Sequence, residues 1–175
     1  MGRYEVTQEL WEHVLHGNPS RFVDSCKTNV PVDSISRDDC IRFVAELNKQ
    51  NGTTGFRLPL DEEWEYACRA GTTSLFNCGM SSPTGNICAH SQKPCRTGSF
   101  KPNAWGLFDM HGNMAEWCMD AYPAELVKLF QRNGFVLRGG SYKDKELNCS
   151  SVARRREASH KRHPTFGMRL CFSVK

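Results

Sequence analysis

The chain has 175 residues, of which 39% are hydrophobic and 24% are charged, close to the average of globular proteins. A chain of this length buries about 70% of the surface of its unfolded form, so we expect a single domain spanning residues 1–175. No stretch is apolar over the roughly 18 residues that a membrane span needs, and the net charge of +4 is too small to indicate nucleic-acid binding by itself.

Two helices are predicted in the first fifty residues. The first runs from about Thr7 to His16. Its apolar stripe consists of Leu10, Trp11, Val14 and Leu15. The second begins at a capping box formed by Ser36 and Asp39 and ends at Asn51. Its predicted buried face consists of Ile41, Phe43, Val44 and Leu47.

A third helix is predicted to begin after Pro59 and to end at Gly71. Asp61 and Glu62 lie in its first turn, where carboxylates interact favourably with the positive end of the helix dipole. Its predicted buried residues are Trp64, Ala67 and Cys68.

After Gly71 the sequence becomes rich in Gly, Pro, Ser, Thr and Asn, and helical periodicity returns only at residues 124–130. Residues 135–137 precede a double glycine and predict one strand. From Phe166 to Val174 apolar residues alternate with others, which predicts a last strand. The pattern indicates an α+β domain with helices first and a loop-rich second half.

The nine cysteines include no C-x-x-C pair, which argues against a zinc site. Cys40, Cys68 and Cys171 have apolar neighbours and are expected to be reduced core residues. A second group, Cys78, Cys88 and Cys95, lies in a Gly-, Ser- and Pro-rich stretch, where a disulfide would stabilise an under-packed loop.

The amino terminus has no apolar signal core. We therefore favour a soluble, cytoplasmic protein without a signal peptide, while an oxidising compartment stays open.

Residues 154–163, RRREASHKRH, carry five Lys or Arg against one Glu. This basic segment is either a solvated face or a patch for anionic ligands. No aromatic residue lies within it, which argues against single-stranded nucleic acid as a partner. The four tryptophans, Trp11, Trp64, Trp105 and Trp117, suggest either core packing or carbohydrate stacking, and we favour packing.

Five stretches, in order along the chain, carry a resemblance to a known family. They are GRYEVTQELWE (2–12), PVDSISRDDCIRFVAELN (31–48), FRLPLDEEWEYACRAGT (56–72), PNAWGLFDMHGNMAEWCMD (102–120), and LRGGSY (137–142) with FGMRLC (166–171). Together they resemble the formylglycine-generating enzyme, or sulfatase-modifying factor, family. The resemblance implies a variant of the C-type lectin fold: α+β and loop-rich, with a small antiparallel sheet and peripheral helices.

The resemblance also locates the residues that decide catalysis. In the family's oxidases two cysteines follow GGSY and bind copper(I), a soft ion that prefers thiolate ligands. The matching positions here are Asp144 and Cys149, and Ala115 stands where the oxidases have an aromatic residue. We therefore expect no copper and no enzymatic activity. Cys149 has no histidine beside it in sequence to activate it. The alternative is a copper-dependent oxidase that converts a substrate cysteine to formylglycine.

A structural calcium ion is the one cofactor that the resemblance implies. Its ligands would be the side chains of Asp109 and Glu116 and the carbonyls of Gly112 and Met114, all oxygen donors of the kind that calcium prefers. The alternative is a metal-free turn in which Asp109 caps the loop and Glu116 pairs with an arginine.

Some members of the family are ligand-binding proteins diversified by retroelements, with variable positions near the carboxyl terminus. By resemblance we predict a non-catalytic ligand-binding domain that displays residues 143–164 to a protein or other surface ligand, anionic ligands included. The candidate contact residues are Lys143, Asp144, Lys145, Asn148, Ser150, Ala153, Arg155, Arg156 and His160. Arg154 and Arg169 are interpreted as scaffold residues. A structural paralogue within a larger assembly is a further alternative.

Overall fold

A computed structural model describes residues 1–23, 28–79, 87–121 and 134–174 of the chain. Its helices are α1 (Gln8–Leu15), α2 (Arg37–Gln50) and α3 (Asp61–Arg69). Its strands are β1 (Phe56–Arg57), β2 (Ala115–Ala121), β3 (Phe135–Arg138), β4 (Arg154–Glu157), β5 (Phe166–Gly167) and β6 (Cys171–Phe172), and a 3-10 helix spans Glu146–Cys149. The predicted helical segment 124–130 lies outside the described residues.

Local sequence signals start the first two helices where they were predicted. The side chain of Thr7 accepts a hydrogen bond from the Leu10 amide at the start of α1. Ser36 and Asp39 form the predicted reciprocal capping box of α2. Each cap satisfies amide groups that have no partner within the helix. The third helix ends at Arg69 and is capped by Ala70, which adopts a left-handed conformation just before Gly71.

The strands form two small sheets. In the larger sheet the order is β4-β3-β2-β5, and the smaller sheet pairs β1 with β6. Most neighbours are antiparallel, as predicted, but β5 runs parallel to β2. The larger sheet is therefore mixed, because β5 follows a long connection that returns the chain beside β2 in the same direction.

The main core lies between helices α1 and α2 and the larger sheet. Trp11 of α1 stacks on Phe43 of α2 with their ring centroids 4.8 Å apart. On the sheet side Trp117 packs edge-to-face on Phe166, with centroids 5.4 Å apart. All four rings are buried, so the aromatic side chains of two helices and two strands are the anchors of this core.

Two details of the predicted core are wrong. Ile41 is 36% exposed, because Cys40, Phe43, Val44 and Leu47 already fill the inner face of α2. The predicted last strand is instead two short strands in different sheets, β5 beside β2 and β6 beside β1. Its alternation fails accordingly: Arg169 is buried, whereas Val174 is 89% exposed.

Candidate functional site

The double glycine after β3 places the chain against the 3-10 helix. Gly139 and Gly140 both have positive φ angles, +84° and +65°. A Cβ atom on Gly140 would lie 2.6 Å from the carbonyl oxygen of Asn148 and 2.7 Å from the Sγ of Cys149. Only glycine allows this approach, and the turn therefore covers Cys149.

Cys149 lies in surroundings that suppress thiolate formation. Its side chain is buried, and its Sγ approaches the carbonyl oxygens of Ser141 and Lys145 at 3.8 and 3.7 Å. Burial and, to a smaller extent, the carboxylate of Asp144 raise the pKa of the thiol to about 12. At neutral pH the thiol of the metal-free protein stays protonated, and a protonated thiol is a poor nucleophile.

A histidine that sequence reasoning did not bring to this site lies beside Cys149. The Nδ1 atom of His111 lies 2.8 Å from the backbone carbonyl oxygen of Cys149, and its Nε2 accepts the Asn77 amide at 3.1 Å. Nδ1 therefore carries the proton. Because the ring is bound to the carbonyl group and not to the thiol, it does not act as a base for Cys149.

Asp144 follows the same turn, two residues after Tyr142. Its Oδ2 accepts a hydrogen bond from the hydroxyl of Ser141 at 2.5 Å. Its backbone carbonyl accepts the His90 amide at 3.4 Å. This second contact joins the turn to the loop closed by the Cys88–Cys95 disulfide. Cys78, the third cysteine of that predicted group, is free and exposed.

A cavity of about 330 Å³ opens between this turn and β4. Its apolar lining consists of Ala115, Leu137, Gly140 and Ala153. Its polar lining consists of Asp144, Asn148, Arg154 and Arg155. Four predicted contact residues thus lie around one cavity, together with Ala115, whose small side chain leaves the space open.

The predicted contact residues differ in exposure. Five are exposed, namely Lys143, Lys145, Asn148, Arg155 and His160. Three are intermediate, namely Asp144, Ala153 and Arg156. Ser150 is only 3% exposed, so its prediction as an exposed contact is wrong. The physical reason is that the Ser151 amide next to it binds the carbonyl of Leu75 at 2.8 Å, which holds this stretch inside.

Acidic neighbours neutralise much of the basic segment. Arg154 binds Asp61 at 2.7 Å and Glu65 at 3.0 Å. Both acids lie on α3, and Arg154 therefore occupies a scaffold position. Arg155 binds Glu157 at 2.9 Å. Since Arg162 also forms an ion pair, at 2.7 Å from Asp39, the segment is less positive than its sequence indicates.

The predicted calcium ligands are close to a buried arginine. Both oxygens of Glu116 bind Arg169, the shortest contact being 2.8 Å, and Trp64 Nε1 donates to Oε2 at 2.7 Å. Asp109 Oδ2 accepts the Gly98 amide. These contacts are those of the metal-free alternative. However, Asp109 Oδ1 is buried and lacks a hydrogen-bond partner. A cation bound to this oxygen would compensate its unsatisfied charge.

Glu5 belongs to the same buried cluster and was missed by the sequence analysis. It accepts hydrogen bonds from Asn113 Nδ2 at 2.7 Å and from the Met114 amide at 3.1 Å. Burial, followed by the charge of Asp109, raises its pKa well above the usual range. Its position between apolar Tyr4 and Val6 is the only signal for its burial in the sequence. Within the described residues no group of three or more His, Cys, Asp or Glu side chains has metal-binding geometry.

The tryptophans divide as the packing interpretation predicts, with one exception. Trp11, Trp64 and Trp117 are buried, whereas Trp105 is 48% exposed and packs against the exposed ring of Tyr66, with ring centroids 4.8 Å apart.

Among the described helices none has the length and apolar character needed to cross a bilayer.

Comparison with known proteins gives one family over nearly the whole chain. Residues 1–174 match the family described as "Sulfatase-modifying factor enzyme 1-like domain". The formylglycine-generating enzyme of Mycobacterium tuberculosis is 31% identical over 135 aligned residues, covering 67% of this chain and 42% of that protein. The chaperone protein LppX of Paenibacillus barcinonensis is 27% identical over 173 aligned residues, covering 69% and 61%. The chain thus spans less than two thirds of the length of these relatives.

A solved structure has the same fold. Variable protein 1 of Treponema denticola superimposes with a TM-score of 0.85 at 24% identity, covering 97% of this chain and 82% of that one. The predicted fold class, a loop-rich α+β variant of the C-type lectin fold, is confirmed.

Proposed function

This chain belongs to the sulfatase-modifying factor enzyme 1-like domain family, and we propose that it is a non-catalytic member that binds a ligand with residues 143–164. One observation carries the proposal: where copper(I) chemistry needs two thiolates, the chain has the carboxylate of Asp144 and the single thiol of Cys149, which is buried. A carboxylate is a hard oxygen donor and does not replace a soft sulfur ligand.

The arrangement of the C-terminal segment supports ligand binding. Two of its exposed candidate residues, Asn148 and Arg155, line the cavity. Ion pairs from Arg138 and Arg154 to α3 hold the backbone next to them in place. Arg138 is fully buried. A rigid scaffold that presents mobile side chains is the usual arrangement of a recognition surface. In the finer form of the proposal, these exposed positions are diversified, as in retroelement-diversified proteins.

Selection from a random peptide library on the immobilised full chain tests the proposal. Selected peptides should lose binding to a surface variant carrying alanine at Lys143, Lys145, Asn148 and Arg155. A control variant with alanine at exposed Glu9 and Arg42, on α1 and α2, should bind them as the wild type does. Peptides that bind both variants equally, or no selectable binding at all, would contradict the proposal.

The oxidase alternative has its own test. The full chain is loaded with copper(I) and incubated with a cysteine-containing peptide and oxygen, and the peptide mass is followed. We expect no conversion of the thiol to an aldehyde and no change when Cys149 is replaced by serine. Conversion that Cys149→Ser abolishes would establish the oxidase instead. A structural paralogue would associate with one fixed partner and would select no peptides on residues 143–164.

We also propose that the loop before β2 binds calcium as a structural ion. Asp109 would contribute its unpartnered Oδ1, Gly112 and Met114 their carbonyls, and Glu116 a carboxylate shared with Arg169. The carboxyl groups of Glu5 and Asp109 lie near the buried pair of Glu116 and Arg169, and burial raises the pKa of both. A divalent cation bound there would favour their ionised form and bind their oxygens.

A further inference from the structure

The cavity beside the GGSY turn is small and partly lined by apolar residues. Its volume of about 330 Å³ is at the lower end of the range for ligand sites, which is about 300–1,000 Å³. Its apolar lining consists of small or aliphatic residues, namely Ala115, Leu137, Gly140 and Ala153. A cavity of this size accommodates one extended side chain of a partner better than a whole drug-sized ligand.

The two arginines that line the cavity already have counterions. Arg154 binds Asp61 and Glu65. Arg155 binds Glu157 through two nitrogens, at 3.0 and 2.9 Å. Its guanidinium also lies 4.9 Å from the centroid of the Phe166 ring. Both cations are therefore largely neutralised and held in place, and neither is a free site for an anionic ligand.

The carboxylate of Asp144, unlike the two arginines, has no counterion among the described residues. Within the described ranges of the chain, this carboxylate accepts one hydrogen bond, from the neutral hydroxyl of Ser141, and forms no ion pair. The side chain is half-buried and lines the cavity. Lys143 and Lys145 flank it in sequence but do not line the cavity, and Lys143 Nζ lies 5.9 Å from the ring centroid of Tyr142. The charge without a counterion at this site is negative.

We propose that this cavity receives a lysine or arginine side chain of a polypeptide partner, whose cationic end forms an ion pair with Asp144. The inference rests on the proposed ligand-binding function and gives the chemistry of its ligand. The aliphatic stem of either residue covers apolar surface while its charged end reaches a polar group. A cavity lined by apolar residues and by one carboxylate without a counterion matches that chemistry, and a partly desolvated ion pair is stronger than an exposed one. The basic composition of the segment alone had pointed to anionic ligands.

Titration of the full chain by NMR with Nα-acetyl-lysine amide tests the proposal. The amide signals of Gly140, Asn148 and Ala153 should shift, with a dissociation constant on the order of millimolar. Nα-acetyl-norleucine amide has the same aliphatic stem without the charge and should bind about tenfold more weakly, as should Nα-acetyl-glutamate amide. All three probes are titrated into the wild-type protein, so the comparison does not depend on the folding of a variant.

Two matched variants complete the experiment. Asp144→Asn keeps an acceptor for Ser141 but removes the charge, and should weaken binding of the lysine probe about tenfold. Glu146→Gln removes a nearby charge that does not line the cavity and should leave binding unchanged. Equal binding of the lysine and norleucine probes, preference for the glutamate probe, absence of binding, or insensitivity to Asp144→Asn would each overturn the inference.

The failure of this inference can be told apart from failure of the proposed function. Library peptides that bind residues 143–164 without enrichment of lysine or arginine, and without sensitivity to Asp144→Asn, would overturn the inference alone. If neither peptides nor probes contact the segment, both fail.

Discussion

The guanidinium of Arg169 and the carboxylate of Glu116 form a fully buried ion pair, with Nη2 of the arginine 2.8 Å from Oε1 of the glutamate. Nη1 of Arg169 donates to the backbone carbonyls of Gly2 and Arg3, and Nη2 also donates to that of Phe108. This one side chain thus joins the amino terminus, the loop before β2 and the chain after β5.

Replacement of Arg169 by methionine should lower the free energy of unfolding by about 3–5 kcal/mol, because it leaves Glu116 as an uncompensated buried charge. Urea denaturation measures the change. The exposed pair Arg155–Glu157 provides the control: Arg155→Met should cost no more than about 1 kcal/mol. Equal losses in the two variants would mean that the buried pair does not hold the fold together.

The fold was predictable from the sequence where the signals are local. Caps and apolar periodicity placed all three helices within a few residues, and the capping box of Ser36 and Asp39 is present as predicted. The last strand was mispredicted because its alternation assumed one sheet. Arg169 is inside because a partner 53 positions away in sequence accepts its charge, and no local pattern contains that information.

The candidate site was predictable only in part. Resemblance identified Asp144 and Cys149 as the decisive positions, and both lie at the turn. The sequence did not indicate that the basic segment is neutralised, because the partners of Arg154 are on α3, about ninety residues earlier in the chain. Nor did it indicate the burial of Ser150, which follows from a backbone hydrogen bond formed next to it by the distant Leu75.

Cys149 should resist alkylation in the folded protein. A pKa raised from 9.0 to about 12 leaves on the order of a thousandfold less thiolate at pH 8 than an ordinary thiol has, and burial restricts access further. Iodoacetamide labelling followed by peptide mass spectrometry measures each cysteine separately. Exposed Cys78 should react readily, and both should react in urea. Equal native rates at the two cysteines would indicate an activated Cys149 and favour the oxidase alternative.

The bond between Cys88 and Cys95 should stabilise the domain. The two cysteines are separated by 7 positions, and closing so short a loop restricts the unfolded chain by about 2–3 kcal/mol. The double variant Cys88→Ser/Cys95→Ser should therefore unfold at lower urea concentration, and so should the wild type in dithiothreitol. Cys78→Ser serves as the control and should change nothing. A wild type unaffected by the reductant would show that these cysteines are not bonded in solution.

Asp39 should make stability depend on pH under acidic conditions. Burial raises the pKa of Asp39, but hydrogen bonds from Arg162 and Ser36 outweigh burial and lower it from 3.8 to about 2. The folded pKa lies below the unfolded one, so the stabilisation is complete above about pH 4 and is lost as the pH falls toward 2. Urea titrations between pH 5 and 2 should show a loss of about 2 kcal/mol from this group. Asp39→Asn should flatten that part of the curve, whereas Asp38→Asn, at the exposed neighbour, should not.

Calcium should raise the melting temperature if it occupies the loop before β2. Burial raises the pKa of Asp109, and its Oδ1 has no hydrogen-bond partner. A cation bound there would compensate the buried carboxylate and stabilise the folded state by mass action. Calcium at a hundred times its dissociation constant would add about 2.7 kcal/mol. Differential scanning calorimetry with calcium, with magnesium and with a chelator measures the effect, and magnesium should do less because it requires a stricter octahedral geometry. Asp109→Asn keeps an acceptor for the Gly98 amide but should abolish the calcium response. Identical melting temperatures in calcium and in chelator would contradict the calcium site. The loop would then be the metal-free turn in which Glu116 pairs with Arg169.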